Sequence, residues 1–361
     1  MSAAPALRLA TILVLISVSA PHAAEPLSIP AEARWSDGPG FSFATKADKH
    51  RRSLSGIACP AELALPRRCV AVFDEGVEAR YVVIDGQGMS PEPDRIMLLA
   101  GGEELDAEGA ARDGSFVFVT GSHSAKRGSC ANNPDGRHVL RFGVDPATGQ
   151  ARRGPDGTPA DLISDNGRLW NLMTQHPVLR DFAGDQKCLG SRPPPDATHL
   201  HGLHGVNIEG LAAKNGQLYF GFREPAIGGH ARILRVAAGP LFSGGNLADV
   251  LFTVAVGQAR GIRDLLAVPE GLLLLIGPDD DSRDTVGWSI AFWDGAGSEG
   301  AMINPKILAH LVVPPIRNNG CDKEIKPEAL ALLEDGPDFR RVLVLSDGMC
   351  DGGPMVFRIP K

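Results

Sequence analysis

The chain has no basic excess, no paired-cysteine metal spacing and no long apolar run after its first twenty residues. Each absence removes a class of function. Its 36 lysines and arginines are outnumbered by 43 acidic residues, for a formal charge of −7. A mildly acidic chain without a basic stripe is not built for nucleic acid. No CxxC spacing occurs among the six cysteines, so a structural zinc site is not encoded. There is no G-x-S-x-G nucleophile elbow, no P-loop and no dinucleotide fingerprint. No segment after residue 24 is apolar for long enough to span a bilayer, so membrane insertion is not expected.

The one apolar run, Leu9 to Ala20, follows Arg8 and precedes the small-residue stretch Ala20 to Ala24. That order describes a signal peptide over residues 1–24, and it predicts a periplasmic or secreted protein. All six cysteines lie beyond it. An even count in an exported chain predicts disulfides. Pairing in sequence order gives Cys59–Cys69, Cys130–Cys188 and Cys321–Cys350.

With 43 glycines and 28 prolines the remaining chain, 25–361, is rich in turns. It reads as one all-β domain, because a single pattern recurs five times. A polar residue, a small residue and an aliphatic pair are followed by a strongly apolar strand that ends in polar groups. The starts are Ser55-Gly56-Ile57-Ala58, Glu108-Gly109-Ala110-Ala111, Glu209-Gly210-Leu211-Ala212, Arg263-Asp264-Leu265-Leu266 and Glu328-Ala329-Leu330-Ala331. Turns such as Asp113-Gly114 and Asn215-Gly216 join the first two strands of a copy. Third strands follow in most copies, and fourth strands fit 95–100, 250–256 and 307–313. Short antiparallel strands repeated about an axis describe a β-propeller. Five blades are expected, with six as the alternative. The long gap over 150–203 is assigned to a helical and loop insertion between blades 2 and 3, with a helix over 167–182. The last copy lacks a fourth strand, and 41–44 is the segment expected to supply it and close the ring.

Aligning the copies places Ser55, Glu108, Glu209, Arg263 and Glu328 at one equivalent position. Ser53, Asp106, Asn207, Gly261 and Lys326 lie two residues earlier, on the same strand face. If these strands line the channel, two polar layers face one axis, with Asp264 beside Arg263 counted in the lining. Inward carboxylates repel unless compensated. Either Arg263 and Lys326 pair with them, or a divalent cation sits among Asp106, Glu108, Glu209 and Glu328. Calcium is the ion such oxygen ligands suit. The ends of the second strands form a further layer at one mouth: Asp74, Glu75, His123, Arg223, Glu224, Asp279 and Asp347. These groups could hold a small anionic ligand or ester substrate, with His123 or Asp347 as proton acceptor and Arg223 steadying the anion. His199 and His201 share a strand face in extended chain and make a weakly specific metal pair. A monomer is expected.

At these repeats the chain resembles a bacterial family known as domain of unknown function 3616. Glu104 to Ala111, Val119 to Ser124, Gly205 to Ala212 and Arg260 to Leu265 carry the resemblance, which extends over nearly all of the mature chain. More distantly it looks like the propeller group labelled esterase-like activity of phytase, through Ser55 to Ala58 and Asp106 to Gly109. That kinship implies an acidic channel that binds calcium and acts on phosphoric or carboxylic esters. Arg263 departs from it, standing where a glutamate is expected. A non-catalytic periplasmic propeller that binds a ligand or a protein is the competing reading.

Overall fold

The structure is a computed structural model. It describes residue 1 and residues 26–35, 40–102, 104–154, 157–185, 187–189, 204–279 and 285–361. The segment expected as a signal peptide and the pair His199 and His201 lie outside the described residues.

The chain enters through β1 (Leu27–Pro30) and β2 (Ala33–Arg34), then a short helix, α1 (Ala47–Arg51). Blade 1 follows as β3 (Leu54–Ala58), β4 (Arg67–Phe73), β5 (Glu78–Ile84) and β6 (Met89–Met97). Blade 2 is β7 (Ala107–Asp113), β8 (Phe116–Gly121), β9 (Val139–Gly143) and the two-residue β10 (Ile163–Ser164), followed by helix α2 (Arg168–Gln175). Blade 3 is β11 (Asn207–Lys214), β12 (Gln217–Glu224), β13 (His230–Ala237), helix α3 (Ala238–Ser243) and β14 (Asp249–Ala255). Blade 4 is β15 (Arg260–Val268), β16 (Gly271–Pro278) and β17 (Trp288–Trp293), then β18 (Met302–Ile303), which joins blade 3, and β19 (Lys306–Val312). Blade 5 is β20 (Lys326–Asp335), β21 (Phe339–Asp347) and β22 (Met355–Pro360). The five sheets make a five-bladed β-propeller. The first strand of each blade is innermost, and β3, β7, β11, β15 and β20 neighbour one another in a closed ring.

Five apolar cores sit between successive blades. The run Leu272 to Ile276 shows how one strand serves two of them. Leu272, Leu274 and Ile276 pack towards blade 3, while Leu273 and Leu275 pack towards blade 5. A strand buried on both faces loses polar alternation and reads as continuous aliphatic sequence.

Ring closure differs from the sequence expectation. The fourth strand of blade 5 is β2, paired antiparallel with β22, and β1 adds a parallel fifth strand to blade 4. Residues 41–44 make no strand. Phe41 and Phe43 instead pack edge-to-face on Phe73, with ring centroids 5.0 and 5.1 Å apart, in the core between blades 5 and 1. Their apolar alternation marks burial rather than sheet pairing. The 150–203 stretch also does more than insert, since β10 within it is the outer strand of blade 2. Its helix stops at Gln175, and a single 3₁₀ turn at Leu179–Asp181 follows Pro177. Leu169, Met173 and Leu179 bury against blades 2 and 3. All three expected disulfides are present. No helix among the described residues is long and apolar enough to cross a membrane.

Candidate functional site

Each inner strand carries a register shift against its second strand at one equivalent point. The shifts lie at Ser55, Glu108, Glu209, Arg263 and Glu328. A β-bulge leaves one residue unpaired and re-aims its side chain. Five bulges in register therefore direct five side chains of the repeat towards the axis.

The residue after each bulge packs on the next inner strand. In blades 1 to 3 it is glycine, because a Cβ would meet the neighbouring backbone: 2.8 Å from Ala110 N at Gly56, and 3.0 Å from Leu211 N at Gly109 and from Leu265 N at Gly210. In blade 4 that residue is Asp264. Its carboxylate accepts N–H bonds from Leu265 and Leu330, both at 2.7 Å, and so ties blade 4 to blade 5. Asp264 is thus a backbone acceptor and not part of the cavity lining.

Four of the five bulged side chains satisfy one another. Arg263, 1% exposed, reaches Glu209 on one side, with Nε 2.9 Å from Oε2, and Glu328 on the other. Arg223 adds a second guanidinium on Glu209 at 2.9 Å, and Asn207 Nδ2 donates to the same carboxylate at 3.1 Å. Ser55 Oγ donates to Glu328 Oε2 at 3.4 Å. Burial alone would raise Glu209, but Arg263 and Arg223 outweigh it and hold the carboxyl below its ordinary range. Burial pushes Glu328 up to about 8 despite Arg263, with Asp347 and Glu209 adding like charge. The fifth bulged residue, Glu108, makes no hydrogen bond or ion pair among the described residues. Burial and the charges of Glu209, Asp106, Glu328 and Asp74 raise it well above the usual carboxylate range.

Above this ring lies a cavity of about 500 Å³. Glu108, Glu209, Arg223 and Glu328 line its floor, and Ser53, Asp74, Asp106, Ser124, Asn133, Asn207 and Asp347 also face it. Its lining also includes both basic and acidic groups, among them Lys49, Arg52, Glu75, Lys126, Lys323 and Lys326. Lys49 pairs with Glu75, and Lys326 lies 2.7 Å from Glu324 and 3.5 Å from Asp347. Asp106 accepts from Ser122 Oγ and, at 3.2 Å, from Asn133 Nδ2. Asp74 rises well above its usual range through burial and the nearby carboxylates of Asp347, Asp106 and Glu328, and its Oδ1 is buried without a partner.

Of the residues expected at the mouth, Asp74, Glu75, Arg223 and Asp347 line the cavity, together with Asp106, Glu108, Asn207, Glu209, Lys326 and Glu328 from the expected channel layers. His123, Arg263, Asp264, Glu224 and Asp279 do not line it. Arg263 lies beneath it, bridging two of its carboxylates. His123 misses by one residue. Ser122 N donates to Asp106 O as Asp74 N donates to Ser53 O, so Ser122 holds the equivalent place. His123 points the other way and is fully buried, with its ring 6.5 Å from that of Trp170. Burial pushes it down to about 4, so it is neutral and out of reach of a cavity ligand. Asp279 O accepts from Arg223 Nε at 3.1 Å and so helps to orient that side chain. Lys49 and Arg52 come from α1 and the residue just after it, which the repeat pattern does not reveal. The basic run Lys46 to Arg52 was the available signal.

The four carboxylates expected to hold calcium do not fit the ion as arranged. Among the described residues no three carboxylate, imidazole or thiolate groups come together as a metal site, and Glu209 and Glu328 already have guanidinium partners.

Among solved structures, the chain is similar to the GH43 endo-arabinanase from Bacillus licheniformis at 11% identity, covering 86% of this chain and 94% of that one with a TM-score of 0.37. It is similar to a putative 6-phosphogluconolactonase from Bacteroides uniformis at 12% identity, covering 89% and 74% with a TM-score of 0.34. At this level of similarity nothing about activity transfers. A comparison with curated proteins found no match. The profile of one family matches residues 92–141 and 203–352, more than half of the chain. These segments hold the last four bulges and the Arg263 bridge, and on that match the chain belongs to the family described as protein of unknown function (DUF3616).

Proposed function

We propose that the protein is an exported small-ligand-binding propeller whose site is the axial cavity above the bulged ring. The carrying observation is the ring itself. Five bulges direct side chains to one axis, four are mutually satisfied, and Glu108 is left unpaired facing about 500 Å³ of polar space. A purely structural ring would satisfy its fifth member as well, because a half-buried carboxylate left unpaired among other acids opposes folding. The three disulfides support a compartment outside the reducing cytoplasm.

The test is an unbiased panel of small polar metabolites scanned by thermal shift on the mature protein. A ligand at a hundred times its Kd adds about 2.7 kcal/mol to the folded state. It should also shield Lys323 and Lys326, which line the cavity, from amine-reactive labelling read by mass spectrometry. A panel that moves neither readout refutes the proposal.

One observation favours a second, hydrolytic reading. Glu328, at about 8, keeps a proton near neutrality, as a general acid must. Asp347, on the neighbouring second strand, is the second carboxyl. Turnover of phosphoric or carboxylic esters that disappears in Glu328→Gln, with the fold retained, would support it. No step in this reading runs through a metal ion.

A further inference from the structure

Away from the lysines at its edge, three side chains of the cavity have oxygens without a partner among the described residues. Glu108 makes no hydrogen bond or ion pair among the described residues. Asp74 Oδ1 is buried and unpartnered. Asn207 is 3% exposed, and its Oδ1 is also unpartnered. The amide of Asn207 is oriented by its neighbour: Nδ2 donates to Glu209, which as a carboxylate paired with two arginines only accepts. Its oxygen is therefore left as a buried acceptor without a protein partner among the described residues. All three side chains line the same cavity.

We propose that the ligand presents an ammonium or guanidinium group to the acceptor set of Glu108, Asp74 and Asn207. This rests on the ligand-binding reading of the axial cavity and specifies its chemistry. The two guanidiniums at the floor are already engaged: Arg263 on Glu209 and Glu328, and Arg223 on Glu209 and the Asp279 carbonyl, and the remaining cations of the site stand at its edge. A cationic N–H donor offers two or three directed hydrogens and a positive charge, which is what the unmet groups lack. The acceptor set is a mixed one, two carboxylates and an amide oxygen on three different blades. It suits a donor whose hydrogens diverge. An anionic ligand would need to displace the existing pairs to reach the floor.

The arrangement carries a signature that a structural role does not. Carboxylates held for a missing cation destabilise the empty protein, so neutralising them should stabilise it while weakening binding. The experiment uses the full mature chain, titrated by calorimetry with agmatine, putrescine, glucose, citrate and calcium chloride. Saturable binding of agmatine or putrescine is expected. Glu108→Gln and Asp74→Asn should each weaken it about tenfold or more, and each should raise the melting temperature of the unliganded protein at pH 8. Binding of only glucose, citrate or calcium, with Lys323 and Lys326 shielded, would overturn the cationic class and leave the ligand-binding reading standing. Failure of all five probes together with an empty metabolite panel would overturn both. A lower melting temperature in both variants would also refute the inference, because the carboxylates would then be structural.

Discussion

Arg263 concentrates the energetics of the ring in one side chain. It is 1% exposed and neutralises two buried glutamates from the blades on either side. Removing one partner of a buried ion pair typically costs about 3–5 kcal/mol, because the other charge is left stranded. Arg263→Met removes one of two guanidiniums from Glu209 and the one that pairs with Glu328, so a loss within that range is expected in denaturant unfolding above pH 8, where Glu328 is ionised. Adding Glu328→Gln to Arg263→Met should recover part of the loss, whereas a mere packing defect would not be recovered. The ring was legible at this scale because polar residues recurred at one place in an otherwise apolar repeat. Two features were not. Whether Arg263 balances the acids or replaces a ligand depends on reach across blades, which spacing does not encode. His123 was misplaced because strand ends were aligned by their polarity, and one residue of slip reverses a side chain's direction.

At the scale of the element, the bulge and the small residue behind it form one device. The bulge turns a side chain to the axis, and the glycine lets the next inner strand approach. Gly210→Val tests this. Its Cβ would lie 3.0 Å from Asp264 C and from Leu265 N, which are backbone atoms and cannot swing aside. Overpacking of this kind costs about 1–3 kcal/mol, and here it also pushes blade 4 away from blade 3. A melting temperature equal to the parent's would show that the ring has slack there. The same substitution at Gly114, where no atom lies within 4 Å, tests only turn geometry and serves as the control. Most strands could be read in sequence because alternation and turn dipeptides are local signals. The latch could not. β2 has two residues, Ala33 and Arg34, and its identity comes from pairing with β22 more than three hundred residues away. The Phe41 and Phe43 pattern looked like a strand because residues buried in a blade interface alternate in the same way.

For the whole molecule, the acidic interior predicts an unusual dependence of stability on pH. Asp74, Glu108, Glu328 and Asp264 all have carboxyl groups raised in the folded state, with burial as the first cause. Such groups contribute stability that is complete below their unfolded values and is lost as pH rises through the folded ones. Two buried groups act in the opposite sense. Glu209 is lowered by its arginines, and its contribution is lost in acid. His123, lowered to about 4, opposes folding as pH falls below 6.5. Between pH 4.5 and 6.5 these and the other raised carboxylates, Asp106 and Asp347 among them, oppose one histidine, so the carboxylates should prevail. From 6.5 to about 8 they act without that opposition. The melting temperature should therefore peak on the acidic side of neutrality and fall steadily towards pH 8. In Glu108→Gln the fall should be shallower, because the folded state then holds one proton fewer in excess of the unfolded chain. A flat profile from 6.5 to 8, in parent and variant alike, would mean that the interior carboxylates are already ionised and compensated, and the unpaired status of Glu108 would fall with it.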